Sequence, residues 1–472
     1  KCSARYAHAF VELGLSVGDR VAVQVAKSPN SLAIYAACVQ AGIVFLPLNT
    51  DYTADEVAYF IEDSGARLVI GDEKSSSALS SIAKASGAAF KTMNADGAGS
   101  FASFAANMPV HFETLPRSSD DLAALLYTSG TTGRSKGAML TQANLLSNAK
   151  TLVDIWRFTS DDVLLHALPI FHTHGLFVAT NVVLLAGSKM IFLPKFDMHQ
   201  LIKLMPQATS MMGVPTFYTR LLGDDRFNRS LASHMRLFIS GSAPLLAETH
   251  VAFEKRSGHR ILERYGMTET NMNTSNPLDG ERRAGTVGFP LPGVELKITD
   301  NETGAELPIG DIGQIEVRGD NVFTGYWRMP EKTAEELRAD GFFITGDLGK
   351  IDADGYVHIV GRNKDLIISG GYNIYPKEIE LLLDEQDDVL ESAVIGVPHP
   401  DFGESVLGIV VAAAGSNPNL KAIKLNIEQS LARFKHPNQL IIIDELPRNA
   451  MGKVQKQMLR EQFKDFFATR SL

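Results

Sequence analysis

From Tyr127 to Gly137 the chain runs Tyr-Thr-Ser-Gly-Thr-Thr-Gly-Arg-Ser-Lys-Gly, a stretch made almost wholly of glycine, hydroxyl and cationic residues. Glycines let backbone N–H groups turn inward, hydroxyls add donors, and Arg134 with Lys136 supplies positive charge, a setting suited to a polyphosphate. The spacing is not that of a P-loop NTPase, because Gly137 follows Lys136 where that motif requires Ser or Thr. Other stretches also place reactive side chains beside glycine: Phe171-His172-Thr173-His174-Gly175, Ser240-Gly241-Ser242-Ala243-Pro244, Tyr265-Gly266-Met267-Thr268-Glu269-Thr270 and Asn449-Ala450-Met451-Gly452-Lys453. His172 and His174 could suggest a metal. No Cys or carboxylate sits beside them and the H-E-x-x-H arrangement is absent, so pocket-lining or helix-entry roles fit better.

Strands and helices must hold these residues. The apolar run 122–126 reads as a buried strand leading into the glycine-rich stretch. Upstream, helices over 6–15, 31–42 and 54–63 alternate with strands over 21–25, 44–49 and 67–72, and Thr53 with Glu56 forms a capping box for the third helix. This alternation predicts βα units and a mostly parallel sheet covered on both faces. Thr141 is the expected N-cap of a helix over 142–154, a strand over 163–170 runs into the two histidines, and Pro215 suits the first turn of a helix after Val214. Strands over 237–239 and 260–263 each open into a polar loop. In open α/β sheets ligands bind at that edge. From about Gly285 the texture changes to short strands separated by turns, and after Gly361-Arg362-Asn363-Lys364-Asp365 a last block reads as a small α+β domain.

The bulk numbers exclude several classes. At 472 residues the chain exceeds what one hydrophobic core usually supports, so two or more domains are expected. Forty-five basic against 54 acidic residues give a net charge of −9 with no basic block, which argues against nucleic acid as a partner. Cys2 and Cys38 are too few for a disulfide framework and lack metal-ligand spacing, and no run of about 18 apolar residues exists, so no integral membrane contact is expected. A cytoplasmic protein is expected, or one of an organelle matrix if a targeting segment preceded Lys1.

Five motifs occur in the order found in the adenylate-forming superfamily: 127–137, 265–270, Phe342-Phe343-Ile344-Thr345-Gly346-Asp347, 361–365 and Pro447-Arg448-Asn449-Ala450-Met451-Gly452-Lys453. On these the chain resembles acyl-CoA synthetases, adenylation domains and firefly luciferase. A narrower resemblance, carried by Phe171-His172-Thr173-His174-Gly175-Leu176-Phe177, by 214–220 and by Met267-Thr268-Glu269-Thr270-Asn271-Met272-Asn273-Thr274-Ser275, is to malonyl-CoA (methylmalonyl-CoA) synthetases. It runs nearly end to end, but such proteins have about 40 more residues before Lys1, so a truncated or processed N-terminus is expected. The implied fold is α/β: a large N-terminal domain, 1–361, of mostly parallel layered sheets with a β-rich subdomain, a hinge at 362–366, and a smaller mobile α+β C-terminal domain, 367–472.

The resemblance implies a two-step reaction, in which a carboxylate attacks the α-phosphorus of ATP to give acyl-AMP and pyrophosphate, and the thiol of CoA then displaces AMP. Such chemistry needs Mg²⁺, fixed cations and hydrogen-bond donors rather than a nucleophilic side chain. Lys453 is implied as the principal catalytic cation, with Glu269 and Thr128 at the metal. Thr128, Ser129, Gly130, Thr131, Thr132, Gly133 and Lys136 would hold the β- and γ-phosphates. Tyr265 would stack on adenine, Gly241, Ser242, Ala243 and Pro244 would line its edge, and Glu263, Arg264, Gly266, Met267 and Thr268 complete the nucleotide site. Asp347 and Arg362 would bind the ribose. Lys364 is the implied hinge, about which Ser369, Gly370, Gly371 and Tyr372 swing in to line the CoA tunnel.

A malonate keeps a second carboxylate ionised at pH 7, and burying it unpaired costs several kcal/mol. Arg220 is the expected two-point partner for that group, with Ser242 and His172 completing the shell and Thr173 and Met272 beside the α-carbon. Rival readings are a CoA ligase for another short-chain or aryl acid, an adenylation domain serving a carrier protein, and a catalytically silent nucleotide-binding regulator. The oligomeric state is left open.

Overall fold

The computed structural model describes residues 1–128, 135–369, 372–399, 402–449 and 452–467. Its first sheet contains β1 (Arg20–Gln24), β2 (Val44–Pro47), β3 (Leu68–Gly71), β4 (Ala89–Thr92), β5 (Leu122–Thr128) and β6 (Lys136–Thr141), in the order β4-β3-β1-β2-β5-β6. All neighbours are parallel except β5 and β6. Both faces are covered, as the βα alternation predicts. Phe10, Ile34 and Phe45 belong to the core on one side, and Phe60, Ile61 and Leu79 to the core on the other. The capping box of Thr53 and Glu56 is present, and Thr141 forms a second one with Asn144, satisfying N–H groups that open a helix.

The second sheet contains β7 (Val163–His166), β8 (Lys189–Phe192), β9 (Ser210–Gly213), β10 (Leu237–Ser240), β11 (Leu262–Met267), β12 (Asn271–Ser275) and β13 (Phe289–Pro290), in the order β13-β12-β11-β10-β9-β7-β8. It differs from the sequence reading at two places besides the strand expected over 163–170, which ends at His166. The strand expected over 260–263 continues to Met267 and returns as β12, so the 265–270 motif is the turn end of an antiparallel hairpin rather than a loop. A register shift at Tyr265/Gly266 and a left-handed Asn271 (φ 50°) let the chain reverse there. The second difference is a π-helical stretch, His174–Thr180, directly after the histidine pair.

The β-rich part is an antiparallel sheet of β14 (Val294–Thr299), β15 (Gly313–Gly319), β16 (Phe343–Ile351) and β17 (Val357–Arg362). The C-terminal block forms its own sheet from β18 (Ile367–Ser369), β19 (Tyr372–Ile374), β20 (Val389–His399), β21 (Gly403–Ala412) and β22 (Gln439–Ile443). Helices Pro376–Asp384 and Leu420–Ser430 pack on one face of it and Lys456–Phe463 on the other, each with a separate apolar cluster. Among the described residues no helix is long and apolar enough to cross a membrane.

Candidate active site

The glycine-rich stretch is anchored at both ends. Thr128 closes β5 and pairs in register with Lys136, which opens β6. Ser129, Gly130, Thr131, Thr132 and Gly133 lie outside the described residues. Thr128 Oγ1 is 3.5 Å from Glu269 Oε1, and Glu269 is buried at the tip of the β11–β12 hairpin. Burial raises its carboxyl above the usual range, opposed by the charge of Lys136 and a hydrogen bond from Tyr326. Lys136 Nζ reaches both oxygens of Glu336, at 3.2 and 3.3 Å, and lies 4.0 Å from the centre of the Tyr326 ring. The Tyr326 hydroxyl touches both acids, at 3.1 Å from Glu269 Oε1 and 2.6 Å from Glu336 Oε2.

Among the described residues no group of three or more His, Cys, Asp or Glu side chains is placed to hold a metal. A single buried carboxylate with a hydroxyl beside it suits a hard cation that keeps water and substrate phosphate as its other ligands. Glu269 and Thr128 therefore fit Mg²⁺.

A second group lies where β16 and β17 meet β11. Asp347 sits within β16 and pairs in register with Arg362 at the end of β17. Arg362 Nε is 2.9 Å from Asp347 Oδ1, and the Tyr265 hydroxyl donates to Asp347 Oδ2 at 2.6 Å. Lys453 arrives from the C-terminal block on a tight loop. Its N–H donates to Asn449 Oδ1 at 2.9 Å, and the Asn449 N–H donates back to the Lys453 carbonyl at 3.0 Å. Burial and then the charge of Arg362 push its ammonium down to about 8, with Asp347 opposing. Two elements distant in sequence thus converge on one electrostatic group. Gly452, at φ 74°, holds the loop against Thr216 at the start of helix Pro215–Leu222.

Side chains alternate along β11, so Glu263 and Tyr265 face one way and Arg264 the other. Glu263 accepts from the Leu245 N–H at 3.1 Å, and burial raises its carboxyl to about 8. Arg264 is 3% exposed, and its Nε and Nη2 have no partner among the described residues. Burial lowers the guanidinium to about 9. Gly241 lies directly against that guanidinium, where any side chain would collide with it. Next to it Ser242 holds a left-handed backbone (φ 73°), and its hydroxyl is 3.1 Å from His174 Nδ1. His174 Nε2 and Thr173 Oγ1 are also buried without partners. Burial lowers His172 to about 4 and, followed by the charge of Arg264, pushes His174 well below the ordinary range, so both rings are neutral near pH 7.

Residues 1–327 match the family profile described as AMP-binding enzyme, and 378–453 match that of the AMP-binding enzyme C-terminal domain. The chain belongs to the AMP-binding enzyme family. The resemblance read from the five motifs is thereby borne out. The malonate–CoA ligase of Arabidopsis thaliana is 37% identical, over 95% of this chain and 78% of its own. The crystal structure of ATP-bound MatB from Rhodopseudomonas palustris is 58% identical, covering 99% of this chain and 93% of that one, with a TM-score of 0.97. The apo crystal structure from the same organism, at the same identity and coverage, gives 0.85. This member of the AMP-binding enzyme family follows the ATP-bound form more closely.

Thr128, Lys136 and Glu269 are brought together, as are Tyr265, Asp347, Arg362 and Lys453. Met272 is buried, its methyl close to Gly266, and Met267 and Thr268 complete the hairpin tip. Ala243 is half-buried and Pro244 exposed. By contrast, Arg220 is exposed on the last turn of its helix, its guanidinium 5.3 Å from the Phe196 ring, and has no hydrogen bond or ion pair among the described residues. The partner of Ser242 is His174, whereas His172 packs on Phe171. Lys364 sits in a single 3₁₀ turn, Asn363–Asp365, between the third and fourth sheets. Ser369 pairs with Tyr372, whose exposed ring stacks on Phe434, while Gly370 and Gly371 lie outside the described residues. Tyr326 and Glu336 were missed. Their signal in the sequence is Gly325-Tyr326-Trp327-Arg328-Met329-Pro330-Glu331, a glycine-aromatic turn before a proline-started helix, which says nothing of which cation it faces.

Proposed function

We propose that this enzyme ligates malonate or methylmalonate to coenzyme A through an acyl-adenylate, releasing pyrophosphate and then AMP. The observation that carries the reading is Arg264, which the sequence resemblance placed in the nucleotide site and which is reassigned here to the acid. A guanidinium with two buried, unpaired nitrogens is costly unless a ligand anion completes it, and a monocarboxylic acid spends its only carboxylate on phosphorus. A second carboxylate on the acid meets that need, beside the unpartnered His174 Nε2 and Thr173 Oγ1. Arg220, exposed and with no anionic partner among the described residues, would be the further cation for the acid, and Met272 would bound the space at the α-carbon. The name of the Arabidopsis relative and the likeness to MatB support the same choice.

In this reading Thr128 and Lys136 hold the phosphates that leave as pyrophosphate, and Tyr265 packs on adenine. Asp347, fixed by Arg362, accepts from the ribose hydroxyls. Lys453 places its ammonium between the attacking oxygen and the α-phosphate, where charge accumulates. Mg²⁺, held by Glu269 with Thr128, would neutralise phosphate charge. After adenylation the block beyond Lys364 rotates, withdrawing Lys453 and bringing Ser369 and Tyr372 to the thiol. The two cysteines are both free, one exposed and one buried, which suits the cytoplasm or an organelle matrix. The test is Arg264→Gln, assayed by ATP–pyrophosphate exchange with malonate. Exchange should fall about 100-fold in kcat/KM for malonate, while KM for ATP stays within about threefold. Unchanged malonate kinetics would remove the carrying observation.

A further inference from the structure

Lys136 is committed in this structure to an acid that the reaction scheme does not use. Both of its contacts with Glu336 are close and nearly equal, and its charge lies between that carboxylate and the face of Tyr326. Glu336 itself does not depend on Lys136. Lys332 Nζ is 2.9 Å from Glu336 Oε1 and the Tyr326 hydroxyl donates to Oε2 at 2.6 Å, so the carboxylate keeps two donors if the third is withdrawn. Lys136 stands opposite Thr128 in the strand pair, at the mouth of the phosphate-binding stretch, and its side chain is 18% exposed. A four-carbon stem carrying a point charge can exchange one anion for another by changing rotamer, which a bidentate guanidinium does less readily.

We propose that Glu336 is an internal competitor of pyrophosphate for Lys136, a positioning residue that takes the lysine back once adenylation has occurred and so speeds release of the leaving group. This rests on the reading of Lys136 as a phosphate donor. The exchange conserves charge locally: Lys136 leaves Glu336 when the triphosphate enters and returns when pyrophosphate departs, with Lys332 and Tyr326 holding the carboxylate throughout. Without the competing carboxylate, pyrophosphate keeps the lysine.

The experiment is titration calorimetry of inorganic pyrophosphate with excess Mg²⁺ on the whole enzyme, comparing wild type, Glu336→Gln, Lys136→Ala, the double variant, and Glu335→Gln. Glu335 is on the same helix, exposed, and pairs with Lys332, so it reports the general effect of removing one charge. Glu336→Gln should bind pyrophosphate at least fivefold more tightly and Glu335→Gln less than twofold. In the Lys136→Ala background the Glu336→Gln effect should vanish. Tightening that persists without Lys136, or no tightening while Lys136→Ala weakens binding, overturns the competition. No weakening by Lys136→Ala overturns the phosphate role of the lysine itself. Far-ultraviolet dichroism and melting of each variant identify a loss of fold, and Glu336→Asp, which keeps the charge, should bind pyrophosphate as the wild type does.

Discussion

At the scale of single residues, burial shifts the charged groups of the site away from their ordinary values. Lys453 is the sharpest case. Its folded value of about 8 lies below that of an ordinary lysine, so the ammonium is present below that pH and is lost as pH rises through it. ATP–pyrophosphate exchange should therefore fall on the alkaline side with a midpoint near 8, and Lys453→Arg, which stays charged, should lack that limb at whatever activity it retains. A profile flat to the pH at which the protein unfolds would contradict the role. Arg220→Ala should raise the barrier for malonate by at least ~2 kcal/mol if its exposed guanidinium closes on the acid. An effect confined to Arg264→Gln would assign acid recognition to the buried cation alone. Much of this was legible beforehand. Lys453, Glu269, Asp347 and Arg362 stood out because motif context fixed their types and order. Which arginine is buried was not legible, because burial of Arg264 depends on Gly241, just past the end of the neighbouring strand β10, and no local pattern reports that.

At the scale of elements, the π-helical stretch after β7 begins at His174, one of the residues that the proposal places beside the acid. His166 Nε2 donates to the Gly175 carbonyl at 2.9 Å, which leaves Nδ1 to accept from Lys27 Nζ at 3.0 Å. Lys27 is pushed down to about 6 by burial, so a neutral amine and a neutral ring hold this turn in place. Gly175 packs directly on the Pro169 carbonyl, where a Cβ would collide with backbone. Gly175→Ala should cost about 1–3 kcal/mol in denaturant unfolding and raise KM for the acid more than for ATP, because the turn that moves carries Thr173 and His174. A variant with wild-type stability and kinetics would show that the close approach is not needed. Periodicity found the strands and most helices, and capping residues located helix starts, as at Thr53 and Thr141. It missed the β11–β12 hairpin because Gly-Met-Thr-Glu-Thr reads as a loop when its partner strand, Asn271–Ser275, is polar and not recognisable as a strand. The π-helical stretch has no sequence signature at all.

At the scale of the molecule, one lysine from the C-terminal block and a cross-strand pair from the third sheet form a single group, and the short turn Asn363–Asp365 joins that sheet to that block. Arg460 holds Asp365 at 2.6 Å, tying the last helix to that turn. Lys364→Pro removes freedom where the rotation is proposed and also restricts Asn363. It should slow thioester formation from pre-formed acyl-adenylate by about tenfold or more while leaving adenylation less affected. Equal rates for both half-reactions would place the rotation elsewhere. The order of the domains was legible from motif order, since the first four motifs precede or form the turn Asn363–Asp365 and the fifth lies in the block after it. Their mutual arrangement was not, because the contact between Gly452 and Thr216 joins residues that no pattern links.

The central claim is that the Arg264 guanidinium against Gly241, with two nitrogens unpaired among the described residues, selects an acid with a second carboxylate. Pyrophosphate release measured over a panel of malonate, methylmalonate, acetate, propionate, butyrate and benzoate, with and without CoA, tests it most directly. The account predicts that malonate or methylmalonate exceeds every monocarboxylate in kcat/KM by about 100-fold or more, with CoA required for sustained turnover. Equal or better turnover of butyrate or benzoate would contradict it.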